Sequence, residues 1–250
     1  MAKKIAIKIR QGGSGKTTTA VNLATALHML GKHVLLVDLD SQANSTQSVG
    51  LDIKSLPLTL ANILTDIGIS SRQVITKTSF GLSVLPSHPS LSHIEMSMSL
   101  SKIGEIKKVL TEIENDYDFI IMDTPPSESF LVVAALVASD EVIIPMEAHF
   151  LPMFGLQKTI QEIEQIKSGL NPTLKIISIL ATKVEGHTNL AKSVLEEVKK
   201  NYPDLLFPMV IPKSVKVSEA PATGKPIVLS DPKHPASVAY MELAKLLISK

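Results

Sequence analysis

Ile5-Ala6-Ile7-Lys8-Ile9 is followed, past Arg10, by Gln11-Gly12-Gly13-Ser14-Gly15-Lys16-Thr17-Thr18, and a helical pattern opens at Thr17. A short strand, a glycine-rich turn and a helix in immediate succession decide the fold. The glycines let the backbone turn tightly enough for successive N–H groups to converge on phosphate oxygens, and the amino terminus of the following helix adds a favourable dipole. In such a loop Gly12, Gly13, Ser14 and Gly15 line the phosphates, Lys16 reaches the terminal ones and the Thr17 hydroxyl ligates magnesium. The strict form of the pattern has glycine where Arg10 stands, so this is a variant. A plain connecting turn would not require Gly-Lys-Thr at the helix start.

Outward from the loop, the helical pattern runs from Thr17 to about Leu30, with Val21, Leu23, Ala24, Leu27 and Leu30 on one face. Val34 to Val37 is then a continuous apolar run, and Phe119 to Met122, Val142 to Met146 and Ile176 to Leu180 repeat it. Runs apolar on both faces suit strands covered by helices on both sides. Helical patterns separate them around Lys102 to Ile113, Phe130 to Val137, Leu156 to Ile166 and Asn189 to Val198. These units predict an α/β fold: one doubly wound, mostly parallel sheet with helices on both faces, spanning residues 1–250 as a single domain. Ser41 to Ser101, rich in Ser, Thr and Pro, is the irregular part, with short helices and a strand near Leu82 to Leu85 expected there.

Composition narrows the chemistry. The chain of 250 residues has no cysteine, which removes disulfides, thiolate zinc sites, cysteine nucleophiles and cysteine-held iron–sulfur clusters. Its net charge of +1 excludes a polycation built to coat nucleic acid, so any basic patch is local. With no signal peptide and no run of about eighteen apolar residues, a cytoplasmic protein is expected.

Two acidic elements complement the loop. Phe119-Ile120-Ile121-Met122-Asp123 ends a buried strand in a carboxylate, suited to hold magnesium beside a phosphate loop. Val37-Asp38-Leu39-Asp40-Ser41-Gln42 closes another strand with carboxylates at i and i+2, which on extended backbone point the same way toward the ligand crevice. One can sit in the metal shell while the other orients an attacking water.

Together, Gly12 to Thr19, Asp38 to Gln42 and Asp123-Thr124-Pro125-Pro126 resemble the ParA/MinD group of deviant Walker P-loop ATPases. The resemblance continues through Asp140 to Pro145, Gly186 to Leu190, Ile211 to Lys216 and Glu219-Ala220-Pro221, covering nearly the whole chain in order. It implies an ATP- and magnesium-dependent ATPase that forms a nucleotide-sandwich homodimer and positions cargo. Lys16 then resembles the Walker lysine, Thr17 the magnesium ligand, Thr18 a phosphate contact and Asp123 the Walker B residue. Asp40 matches the water-activating aspartate, with Asp38 near the metal, and Ile211 and Pro212 fall where adenine is contacted. Three residues depart from the pattern: Gln11 replaces the signature lysine that reaches the partner's phosphates, Ser41 replaces a proline, and His187 an arginine. At Gln11 either another basic side chain takes over or hydrolysis is altered, and some members that space carboxysomes resemble this chain in lacking that lysine.

Three function classes follow. A ParA-type partitioning ATPase would hold DNA nonspecifically as an ATP-bound dimer, nucleoid-associated in that state, and be stimulated by a cargo adaptor. The last hundred residues fit modestly, with 13 lysines against 9 acids, and Lys213 and Lys216 are the foremost DNA-binding candidates, joined by Lys192, Lys199, Lys200 and Lys225. A MinD-type regulator needs a cationic amphipathic tail, whereas Ala236 to Lys250 reads as a core helix with Val238, Met241, Leu243, Ala244 and Leu247 on one stripe. The third class is a metabolic ATPase of the same fold. Because the chain starts at its first strand, an amino-terminal helix-turn-helix is not expected.

Overall fold

The computed structural model describes residues 1–66, 68–126, 129–148, 152–186 and 188–249. Seven strands, β1 (Lys3–Ile7), β2 (Val34–Asp38), β3 (Thr76–Lys77), β4 (Ser83–Leu85), β5 (Phe119–Asp123), β6 (Glu141–Glu147) and β7 (Lys175–Thr182), form one sheet in the order β3-β4-β2-β5-β1-β6-β7. Every neighbouring pair is parallel except β3 with β4. The expected doubly wound, mostly parallel α/β sheet is therefore what forms.

The helices are α1 (Lys16–Met29), α2 (Asn44–Ser48), α3 (Leu60–Thr65), α4 (Ser71–Val74), α5 (Leu91–Ser97), α6 (Glu105–Thr111), α7 (Phe130–Ala138), α8 (Pro152–Gly169), α9 (Asn189–Asn201), α10 (Val215–Glu219), α11 (Ile227–Ser230) and α12 (Pro235–Ser249). Strand alternation divides them between two faces. Ile5, Ile7, Leu36, Ile121 and Ile143 pack against Leu23 and Leu27 of α1 and Tyr240 and Leu243 of α12. Ala6, Leu35, Val37, Ile120, Met122 and Ile144 pack against Leu110, Leu131, Leu156, Ile163 and Val198 of the opposite helices. Both faces of the central strands are thus dry, and each buried aliphatic side chain contributes roughly 1.5–3 kcal/mol, which is why these strands read as unbroken apolar runs.

Four details differ from the sequence reading. β1 ends at Ile7 rather than Ile9: Lys8 N–H still donates to Ile143 O at 3.1 Å, but Arg10 N–H donates to Thr159 Oγ1 on α8, so the chain has left the ladder. The irregular stretch holds α2 to α5 and adds an antiparallel edge strand, β3, too short to show a pattern. The buried stripe of α12 is Ala236, Ala239, Tyr240, Leu243, Ala244 and Leu247, while Val238 is 40% exposed. That stripe packs on α1, so it is a core helix, but α1 presents small residues and admits alanines where the pattern of large apolar residues pointed elsewhere. The segment after Ile211 forms α10 and α11, which no periodicity announced. Among the described residues no helix is long and apolar enough to cross a membrane.

Candidate functional site

Three strand ends converge at the carboxyl edge of the sheet. Ile7 of β1 pairs with Asp123 of β5, and Asp38 of β2 pairs with Asp123 from the other side. The glycine loop therefore leaves β1 directly beside both aspartates. Gly15, at φ +85°, caps α1 in a left-handed conformation that a side chain would strain, and Thr19 N–H donates to its carbonyl. Arg10 needs no such freedom: among the described residues the non-glycine positions at positive φ are Ala43 and Lys183. The strict glycine is thus dispensable in this loop.

Lys16 is buried and donates to the Gln11 carbonyl at 3.2 Å, so its ammonium is folded onto its own loop. Burial holds its pKa below the usual lysine range, partly offset by Asp123 and Asp40, with nearby Lys8 adding to the lowering. Ser14 Oγ donates to the same carbonyl, and Thr182 Oγ1 at the end of β7 donates to Ser14 O at 2.9 Å. The Gln11 side chain lies over Gly155 of α8, 3.7 Å from where a methyl on that glycine would sit.

Asp123 is fully buried. Thr17 Oγ1 and Ser45 Oγ both donate to its Oδ2 at 2.8 Å, whereas its buried Oδ1 has no hydrogen-bond partner among the described residues. An orphaned carboxylate oxygen beside a threonine hydroxyl is the donor set a hard oxygen-seeking cation with its waters would complete. No cluster of three or more His, Cys, Asp or Glu among the described residues could hold a metal unaided, so such an ion would be shared with phosphate.

Asp38 and Asp40 are held by different partners. The Asp38 carboxylate turns inward, accepting from Thr46 N–H, Thr46 Oγ1 and Asp40 N–H at 2.8, 2.7 and 3.1 Å. The Asp40 carboxylate accepts from Gln42 N–H at 2.9 Å and lies near enough to Lys16 and Asp123 for its charge to act on both. β2 ends at Asp38, Leu39 N–H still donates to Asp123 O at 3.0 Å, and the backbone then turns through Ala43 at φ 52° into α2. Burial, then repulsion from Asp123, pushes Asp38 up to about 7; burial likewise pushes Asp123 up to about 6.

Ile211 and Pro212 line a small pocket of about 120 Å³ together with Gly15, Thr18, Thr182 and Lys183. It is too small for a whole nucleotide and suits one end of one, since ligand clefts run about 300–1,000 Å³. A cavity of about 690 Å³ lies instead between α7 and α8, with Arg10 at its edge and no aspartate among the described residues of its wall. Lys213 and Lys216 are exposed but ion-paired, Lys213 with Glu185 and Lys216 with Asp231 at 2.9 Å. Lys192, Lys199 and Lys200 lie on the exposed side of α9, and Lys225 is exposed beyond α10. His187 lies outside the described residues.

The sequence reading missed four participants. Ser45 and Thr46 hold Asp123 and Asp38, a contact that depends on α2 folding back over β2 and β5. Lys8 is buried 3.5 Å from Glu162, and a lysine within an apolar run was the one visible signal. Lys183 holds a left-handed backbone conformation that costs about 1 kcal/mol or more for a side-chain-bearing residue, and nothing in sequence announces it.

A strand, glycine loop and helix facing two strand-end aspartates define a P-loop nucleotide-binding site on a parallel sheet. A protein family described as an AAA domain matches residues 2–176. Sporulation initiation inhibitor protein Soj of Bacillus subtilis is 38% identical over 247 residues, 98% of each chain. Chromosome partitioning protein ParA of Caulobacter vibrioides is 34% identical over 250 residues, covering 98% of this chain and 94% of its own. Among solved structures, cobyrinic acid a,c-diamide synthase from Mycobacterium smegmatis with bound ADP and magnesium matches at a TM-score of 0.86 and 28% identity, covering 99% of this chain and 94% of the other. The chain belongs to the ParA/MinD family of P-loop ATPases.

Proposed function

We propose that residues 1–250 form a single ATPase domain of ParA type, which binds ATP with magnesium, forms an ATP-sandwich dimer and, in that state, holds DNA nonspecifically. A cargo adaptor stimulates hydrolysis and releases the dimer, so that the cycle positions or segregates its cargo. The observation that carries the nucleotide reading is Asp123 Oδ1, without a hydrogen-bond partner among the described residues, beside the Thr17 hydroxyl; likeness to Soj and ParA over nearly the whole chain supports the partitioning role. Thr17 and Asp123 would hold the metal, which would draw charge from the phosphates; Asp38 stays behind them, orienting α2. Lys16 exchanges its loop carbonyl for phosphate oxygens. Asp40 positions and deprotonates the attacking water, while Ile211 and Pro212 bound the base.

DNA contact is assigned to Lys213 and Lys216 with the α9 lysines. Glu185 and Asp231 hold the first two lysines, so DNA phosphate must displace exposed ion pairs, which water and salt already weaken. Retention of nonspecific duplex DNA with ATP, ADP or no nucleotide tests the reading. DNA should be held with ATP alone, less so at higher salt, and released by Lys213→Glu with Lys216→Glu while ATP binding persists. Equal retention in every nucleotide state would remove the partitioning reading.

A further inference from the structure

Lys183 sits where β7 breaks off. Ile211 N–H donates to Ala181 O at 2.8 Å, and Val184 N–H donates to Ile211 O at 3.1 Å, so the backbone is pinned on both sides of Thr182 and Lys183. The residue between these anchors takes φ 50°, a conformation that lysine gains nothing from by itself. The kink turns both side chains onto the phosphate loop. Thr182 Oγ1 bonds Ser14 O, and a methyl placed on Gly13 would lie 3.9 Å from Lys183 Nζ. Lys183 also lines the pocket of Gly15, Thr18, Ile211 and Pro212, so its ammonium stands at the junction of phosphate loop and base pocket. Unlike Lys213 and Lys216, it is paired with no acidic side chain among the described residues.

We propose that Lys183 is a nucleotide-holding residue whose ammonium binds the ribose-proximal phosphate of the adenine nucleotide from within the same subunit and slows its release. This rests on the nucleotide reading of the crevice. It also gives the loop a cation in cis where position 11 carries a neutral glutamine. The strained backbone is retained because it aims this charge, and relaxing it would swing the ammonium away.

The test is stopped-flow release of a fluorescent ADP analogue from the full-length protein with magnesium. Lys183→Met, which keeps the apolar stem, should raise the dissociation rate roughly tenfold or more, and Lys183→Arg should restore it to within a few-fold. Lys183→Gly relaxes the backbone and guards against misfolding of the first variant; it should accelerate release like Met while keeping the melting temperature. Unchanged release in the Met and Gly variants, or acceleration as large in Arg as in Met, overturns the proposal. Failure of the unmodified protein to bind the analogue would overturn the nucleotide reading itself, a result distinct from normal binding that ignores Lys183.

Discussion

Asp38 and Asp40 stand two residues apart, and their hydrogen bonds separate their contributions. Asp40 accepts one backbone N–H among the described residues, on one oxygen, which leaves the other for a water, so Asp40→Ala should bind ATP normally yet hydrolyse it at least a hundredfold more slowly, as phosphate-release kinetics would register. Its ATP-bound dimer should accumulate in light scattering. Asp38 and Asp123 make a different prediction. Both have folded pKa values raised by burial above the unfolded value near 4, so the nucleotide-free protein holds more protons than its unfolded chain between about pH 4 and 7. Stability from this pair is therefore full at the acidic end and is lost as pH rises through about 7. Asp38→Asn should flatten that slope, on the order of 2 kcal/mol, in denaturant titrations at pH 5 and pH 7. An unchanged slope would place the proton elsewhere.

At the scale of elements, what carries the site is less the long helices than the short pieces around them. α2 closes over the strand ends with Ser45 and Thr46, and the turn after α10 locks it there: a methyl on Gly224, at φ 64°, would come within 2.7 Å of Gly50 Cα. Both sides of that contact are backbone, so neither yields cheaply. Gly224→Ala should cost about 2–4 kcal/mol in guanidinium unfolding, combining the left-handed conformation with overpacking. α1 needs no such support at its end, where Gly31 at φ 81° and the bonds Gly31 N–H to His28 O and Lys32 N–H to Leu27 O terminate it. Long strands and α1 were readable because period and caps are local; α10, α11 and the rotated stripe of α12 were not, because their faces are chosen by partners distant in the chain.

For the whole molecule, the proposed nucleotide-sandwich dimer turns on the charge that position 11 presents to the partner's nucleotide. A lysine at position 11 would neutralise the partner's triphosphate, and trans-acting cations in phosphoryl transfer are worth roughly a thousandfold or more. With Gln11 there, basal turnover should be slow while ATP still drives dimerisation. Gln11→Lys should raise turnover tenfold or more and tighten the dimer, measured by phosphate release and light scattering. No change in either would mean that position 11 does not face the partner's nucleotide, in keeping with Gln11 resting on Gly155 of its own α8.

By itself the sequence determined the sheet, the glycine loop with Lys16 and Thr17, and the strand-end aspartates Asp38, Asp40 and Asp123, because each is written in contiguous residues whose period or conformational demand is local. The tertiary structure alone decided that Asp38 turns inward to Thr46, that one Asp123 oxygen has no partner among the described residues, that Lys213 and Lys216 are held by Glu185 and Asp231, and that Lys183 bends over Gly13. Those outcomes depend on which strand lies beside which and on hydrogen bonds between segments up to 168 residues apart, such as Thr182 to Ser14. No local pattern encodes such pairings, since the free energy that selects them comes into being only once the sheet has brought the segments together.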